Sequence, residues 1–156
     1  MIELIKLIVC IVICQLAGFI GSIFTRDSVG TWYKMLNKPS FNPPNWLFGP
    51  VWITLYVLMG LSAYLIWRKG LSIKNVQYSL GIFLVQLVLN SLWSVVFFGS
   101  RSIGGGLIII VLLWFLILIT TLSFYKVSAI SAYLLIPYLL WVTYASILNF
   151  SIWQLN

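Results

Sequence analysis

The chain has no histidine, only two carboxylates, Glu3 and Asp27, and only two cysteines, Cys10 and Cys14. Each scarcity closes off a chemistry. Without histidine there is neither a His-based triad nor a histidine haem ligand, and carboxylates near opposite ends of the first apolar segment cannot form a paired acid–base site. Two cysteines at i and i+4 on an apolar helix fall short of a metal's ligand set, so no metal is expected. Lying inside an apolar segment, they also say little about redox compartment. No charge lies deep in any apolar segment, which ranks proton- or ion-coupled transport low.

Charge is scarce altogether: 7% of the 156 residues are charged and 62% are hydrophobic. A soluble domain of that makeup would expose far too much apolar surface, so the composition describes a polytopic membrane protein. Nine Lys and Arg against the two carboxylates give a net charge of +7. With no solvated basic face to present, these are loop charges at a membrane surface, and no nucleic-acid partner is expected.

Apolar runs place membrane spans at about 4–24, 46–67, 76–98, 103–124 and 129–153, each long enough for a hydrocarbon core of ~30 Å. Only helix satisfies the backbone of so short a chain inside the bilayer. The predicted fold is an all-α five-transmembrane-helix bundle, one domain over residues 1–156, with a long ordered loop at 25–45 between the first and second spans. The N-terminal run is too long for a signal peptide, and nothing resembles a mitochondrial presequence, so the plasma membrane of a bacterium is the simplest compartment. Lys6, Arg68, Lys69, Lys74 and Lys126 fall on one face, with Arg26, Lys34, Lys38 and Arg101 on the other. That near balance only leans the N-terminus towards the cytoplasm.

On the first span Cys10, Cys14, Gly18 and Ser22 recur every fourth residue, as do Ala17 and Gly21, giving one side small enough for close packing. The Gly104, Gly105, Gly106 run that opens the fourth span is a candidate contact between copies.

What the sequence does have is a stretch from Trp32 to Tyr56, WYKMLNKPSFNPPNWLFGPVWITLY. Pro39, Pro43, Pro44 and Pro50 forbid one uninterrupted helix there, so it reads as a covering loop that turns into the second span. Antiparallel spans put this loop, the third connection and the C-terminus at one end of the bundle. Trp52 lies ~10 Å below Asn45, Asn90 ~12 Å below Phe98 and Asn149 ~6 Å from Trp153, all in that half. Trp52 and Tyr56 share a helix face, as do Asn90, Trp93, Ser94 and Phe97, and Trp141, Ala145 and Asn149. Three such faces can wall one cavity. Trp46, Trp67 and Trp153 at span ends are interface anchors. Trp93 and Trp141 are too deep for that and either pack the core or line a pocket, while Asn90 is either interhelical glue or a ligand contact. Pro137 frees the Tyr133 carbonyl and is expected to bend the last span, opening space beside Trp141.

The patterns WY..L.KPS..PP.W.FGPVW..LY..MG (Trp32 to Gly60), LN..W...FFG.R (Leu89 to Arg101) and PYL.W...A..LN (Pro137 to Asn149) resemble the tryptophan-rich sensory protein family. That family includes the mitochondrial translocator protein, also called the peripheral benzodiazepine receptor. The resemblance covers essentially the whole chain. It implies a five-helix bundle, often a homodimer, that binds protoporphyrin IX and, in many members, isoquinoline carboxamide drugs and sterols.

Carried over by motif, the cavity is lined by Trp52, Asn90, Trp93, Trp141 and Ala145, under Trp32, Tyr33, Pro43 and Pro44 of the loop. A flat aromatic disc with two propionates suits tryptophan faces and nearby cations, here Arg26, Lys34 and Lys38. Phe150 and Gln154 stand where the vertebrate sterol pattern has tyrosine and arginine, so high-affinity sterol binding is not expected and no steroid-making role is carried over. The resemblance admits two classes of function. One is a porphyrin sensor or carrier. The other is light- and oxygen-dependent porphyrin breakdown with Trp52 and Trp141 as a redox pair, in which the protein supplies position rather than an acid or base, and no cofactor besides the porphyrin itself.

Overall fold

The computed structural model describes all 156 residues and contains no strand. Five helices are long and apolar enough to cross a membrane: α1 (Ile2–Val29), α3 (Asn45–Trp67), α4 (Lys74–Ser94, continued by a turn of π-helix over Val95–Gly99), α5 (Ile103–Val127) and α6 (Ala129–Leu155). Between α1 and α3 lies the single turn α2 (Trp32–Met35). This is the five-helix membrane bundle expected from the sequence. Around its perimeter the neighbours run α1, α3, α6, α5, α4 and back to α1.

Only 36 of the 156 residues are buried, while Phe19, Ile23, Leu112, Phe115 and Leu140 stand exposed on helix faces. In water that surface would be untenable; against acyl chains it is already solvated. Since lipid is as apolar as leucine, close packing and interhelical hydrogen bonds hold such a bundle together. Both are present. The Trp114 indole donates to Thr143 Oγ1 (2.7 Å) between α5 and α6, Ser62 donates to the Ser131 carbonyl (2.7 Å) between α3 and α6, and Ser91 donates to the Ala17 carbonyl (3.0 Å) between α4 and α1.

The small side of α1 is a packing face. Cys10, Cys14, Ala17 and Gly21 are buried, and Gly18 lies flat against the Tyr56 ring. On α3, Gly60 meets the Ile11 backbone so closely that a Cβ there would sit 2.7 Å from the Ile11 Cα.

The Gly104–Gly106 run is a packing site within the chain. A Cβ on Gly106 would meet Phe97 at 2.7 Å, one on Gly105 the Ser102 hydroxyl at 2.7 Å, and one on Gly104 the Trp153 indole at 3.4 Å. The glycines admit the end of α4 and α6 to the first turn of α5, whose N-terminus Ser102 caps by accepting from the Gly105 N–H.

Helix α1 runs on to Val29 where the sequence suggested an end near Phe24. Thr25 and Thr31 donate back to the carbonyls of Gly21 (3.0 Å) and Asp27 (2.7 Å), and buried Ser28 donates across to the Phe98 carbonyl (2.7 Å). No helix breaker arrives before Gly30. The π-helical turn at the end of α4 was not foreseen. Its wider winding, with the Ser100 N–H reaching the Val95 carbonyl at 2.8 Å, turns both Phe97 and Phe98 into the protein.

At mid-bundle a chain of polar side chains crosses the core. Tyr56 donates to Asn90 Oδ1, Asn90 Nδ2 donates to the Tyr138 hydroxyl (2.9 Å), and Tyr138 donates to Gln86 Oε1 (2.8 Å). All four residues are buried. Asn90 thus joins α3, α4 and α6 and has both ends of its amide engaged.

Candidate functional site

The loop after α1 folds on itself before it covers the bundle. The Lys38 ammonium donates to the carbonyls of Tyr33 (2.8 Å), Leu36 (2.9 Å) and Lys34 (3.3 Å), and lies 5.0 Å from the centre of the Tyr33 ring. It thereby caps the C-terminal end of α2. The Tyr33 hydroxyl donates to Asn42 Oδ1 (2.7 Å), and the Asn42 amide donates on to the Pro43 carbonyl (3.0 Å). Burial, with Tyr144 adding to it, pushes the Tyr33 phenol up to about 12, so it stays a neutral donor at physiological pH. Pro43 is buried under the loop, and Pro44 supplies the extended residue from which α3 starts.

This lid is fastened to α6. The Asn37 backbone N–H donates to Asn156 Oδ1 (3.0 Å), Asn156 Nδ2 returns a bond to the Asn37 carbonyl (2.9 Å), and Asn37 Nδ2 donates to the Leu155 carbonyl (3.2 Å). Tyr144 donates to the Phe41 carbonyl, and the two rings meet edge to face. An Asn156→Ala variant removes two of these bonds. Amide hydrogen exchange across residues 31–45 is expected to speed up about thirtyfold, at about 1 kcal/mol for each of the two bonds. Unchanged exchange would mean that aromatic packing alone holds the lid down.

Beneath the lid is a small chamber of about 30 Å³. Tyr33 comes down from α2 and Phe48 from the first turn of α3; α4 and its π turn give Trp93, Phe97 and Phe98; α6 gives Ala145, Leu148, Asn149 and Ile152. The rings are packed in sequence. Trp93 stacks on Phe97 (5.2 Å, 20°), Trp32 meets Phe97 edge-on (5.6 Å), and Tyr33 reaches Phe98 (5.6 Å). Asn149 accepts from the Trp93 indole (3.2 Å) and donates to the Ile103 carbonyl (3.1 Å).

Trp141 borders this chamber, edge-on to Phe48 (6.1 Å) and tilted against Tyr144 (5.6 Å), and its buried indole N–H has no acceptor. One helical turn beyond Phe48, Trp52 stacks on Tyr56 (5.5 Å, 27°) and meets Tyr138 edge-on (6.3 Å).

The structure therefore brings together Trp32, Tyr33, Trp93, Phe97, Ala145 and Asn149, with Trp141 at the border and Trp52 and Tyr56 one layer deeper. Ser94 instead faces α1, its hydroxyl 3.0 Å from where a Gly21 Cβ would lie. Asn90 is tied between tyrosines. Among the mouth cations Arg26 and Lys34 are exposed, whereas the Lys38 ammonium is spent on backbone carbonyls. Sequence reasoning missed Phe48, Phe98, Leu148 and Ile152 in the lining, and Tyr138 and Gln86 in the polar chain. Helical spacing carried part of that signal: Phe48 precedes Trp52 by four residues, Ile152 follows Asn149 by three, and Gln86 precedes Asn90 by four.

The sequence matches the TspO/MBR family over residues 10–154. The chain belongs to the TspO/MBR family. It is 45% identical to the tryptophan-rich protein TspO of Chlorobaculum tepidum over 154 residues, covering 99% of this chain and 98% of that one. Protein CrtK of Rhodobacter capsulatus is 44% identical over 93% of this chain and 89% of its own, and the translocator protein of Homo sapiens 41% identical over 91% and 85%. With this TspO/MBR membership and five apolar helices, the protein is a multi-pass integral membrane protein. The three sequence patterns fall on the parts that build the chamber: Trp32 to Gly60 is the lid and α3, Leu89 to Arg101 is the end of α4 with its π turn, and Pro137 to Asn149 is the middle of α6.

Proposed function

We propose that the protein binds a porphyrin of the protoporphyrin IX class between the lid and the lid-side half of the bundle, and that flat hydrophobic drugs of the isoquinoline carboxamide type enter the same space. The observation that carries this reading is the buried indole N–H of Trp141, left without an acceptor at the edge of an aromatic-walled chamber. An unpaired buried donor is costly, and a ligand nitrogen or carboxylate oxygen relieves that cost. In its closed form the chamber holds about 30 Å³, room for roughly one water, against several hundred for a drug-sized ligand. Binding therefore requires the lid to lift and Tyr33 to leave, after which Trp93, Phe97 and Phe48 offer their faces to the macrocycle. Exposed Arg26 and Lys34 serve the propionates at the mouth.

A second reading, light- and oxygen-dependent breakdown of the bound porphyrin, is favoured by the Trp52–Tyr56 stack. An indole in face contact with a phenol is suited to exchange electrons with an excited porphyrin above it. The protein's part is then positioning, since no histidine or deep carboxylate is present to act as acid or base.

Both readings are tested together. Purified protein in detergent is titrated with protoporphyrin IX in the dark and then illuminated in air, beside Trp52→Phe and Trp141→Phe. Dark binding by the wild type is expected, weakened roughly threefold to tenfold in Trp141→Phe for one lost hydrogen bond. Under light, breakdown in the wild type but not in variants that still bind assigns the oxidation to these indoles. Bleaching no faster than free porphyrin in all three leaves a non-catalytic sensor or carrier, and no saturable dark binding contradicts the whole reading.

A further inference from the structure

At the end of the bundle away from the lid, a groove of about 320 Å³ opens between the start of α4 and the end of α5. Asn75 and Tyr78 line it from α4, and Ile119, Leu122, Ser123 and Lys126 from α5. Nothing in the proposed porphyrin site uses it. We infer that this groove binds an anionic phospholipid, with the phosphodiester at Lys126 and Asn75 and an acyl chain along Leu122 and Ile119.

Three features fix the occupant's chemistry. The first is charge. The single ion pair of the protein is Lys6 with Glu3, and the Glu3 carboxylate also takes the Tyr64 hydroxyl, on the α1 and α3 side. The other carboxylate, Asp27, lies at the opposite end, near the end of α1. Lys126 in the groove, and Lys74 in the first turn of α4, thus have no carboxylate partner. Ile73, which precedes α4, offers no side-chain acceptor to the helix N-terminus, and this adds to the preference for an anion.

The second feature is the order of groups along the groove. Residues 119, 122, 123 and 126 share one face of α5 and run from hydrocarbon through a hydroxyl to an ammonium over ~10 Å. Lys126 is at the helix end, where the headgroups lie, and Ile119 points the way towards mid-membrane. Ser123 shares a hydrogen bond with Ser79 of α4 (2.6 Å), which closes the floor. Tyr78 stands 63% exposed at the rim, an amphipathic ring at the level of the headgroups.

The third feature separates a lipid from a free phosphate. Ile119 and Leu122 are both exposed, 44% and 57%, and form an apolar wall that a small soluble anion leaves uncovered.

The experiment is native mass spectrometry of the detergent-purified protein with phosphatidylglycerol and phosphatidylcholine of equal chain length. One phosphatidylglycerol is expected to be retained in preference to phosphatidylcholine. Lys126→Gln should reduce that retention about fivefold, the effect of one surface cation on an anionic lipid. Lys69→Gln, outside the groove, should leave it unchanged, and glycerol phosphate, the soluble headgroup, should not displace the lipid. Lys126 is exposed, so the variant folds, and unchanged helical circular dichroism verifies it. Equal retention of the two lipids, or retention indifferent to Lys126→Gln, overturns the site. Displacement by glycerol phosphate at comparable concentration overturns the lipid assignment in favour of a soluble phosphate ligand.

Discussion

Replacing Gly60 with leucine is expected to destabilise the protein by about 3 kcal/mol or more, at the top of the range for overpacked sites. A Cβ on Gly60 would lie 2.7 Å from the Ile11 Cα and 3.0 Å from its backbone nitrogen. Neither atom can rotate away, so α1 and α3 must separate. Separation also undoes what surrounds the contact: buried Cys10 and Cys14, the seat of Gly18 on Tyr56, and the bond from the Gln15 amide to the Ile53 carbonyl (3.1 Å). Gly81→Leu is the control, since nothing lies within 4 Å of its Cβ position. Thermal unfolding in detergent reads the difference. A fall of several degrees or more for Gly60→Leu and almost none for Gly81→Leu is expected, and equal behaviour of the two would show that close approach of α1 and α3 is not what holds the bundle.

The second large effect comes from Asn90. In general an interhelical hydrogen bond in a membrane protein contributes only about 0.6 kcal/mol, because the separated helices find other partners. Asn90 differs in that its amide serves two buried phenols at once. An Asn90→Ala variant leaves the Tyr56 hydroxyl without its acceptor and the Tyr138 hydroxyl without its donor, besides opening a cavity. A cost of about 2–4 kcal/mol follows, since each stranded group contributes about 1–3 kcal/mol less whatever local relaxation recovers. The pairing makes the result non-additive. Adding Tyr56→Phe to Asn90→Ala removes one stranded hydroxyl and should cost nothing further, or recover about 1 kcal/mol, although Tyr56→Phe alone is destabilising. A double-mutant cycle in which the two costs simply add would mean that the hydroxyl and the amide do not interact.

Much of this was legible in the sequence because a membrane simplifies the problem. Spans must be helices, so apolar length alone locates α1 and α3 to α6, and short connections force antiparallel neighbours. From that, Trp93, Ala145 and Asn149 could be brought to one end beneath the Trp32–Tyr33 segment before any coordinates. The every-fourth-residue run of small side chains on α1 likewise announced close packing.

What stayed hidden depends on where individual groups turn after the helices have met. Nothing in VVFFG announces the π turn that sends both Phe97 and Phe98 inward. Lys38 looked like a free cation because its spacing from the Tyr33, Lys34 and Leu36 carbonyls exists only once α2 has formed. Gly104 to Gly106 gave no sign in the sequence of the approach they allow to Phe97, Asn149 and Trp153 within one chain. The sequence also carried no sign that the lid fills the chamber it covers. That is a matter of Tyr33 occupying space which a flat ligand would otherwise take.

Whether a porphyrin takes that space is tested most directly by closing it. Ala145 lines the chamber from α6, and an Ala145→Phe side chain would occupy the volume into which a ligand must enter, on a helix that phenylalanine tolerates. Tryptophan fluorescence quenching on titration with protoporphyrin IX in the dark is the readout, with circular dichroism verifying that the helices are intact. Saturable quenching by the wild type and at least tenfold weaker binding by Ala145→Phe are expected, since even one misfit that holds the ligand off by about 1.4 kcal/mol gives that ratio. Equal affinity in the two proteins would place the porphyrin elsewhere and contradict a binding site beneath the lid.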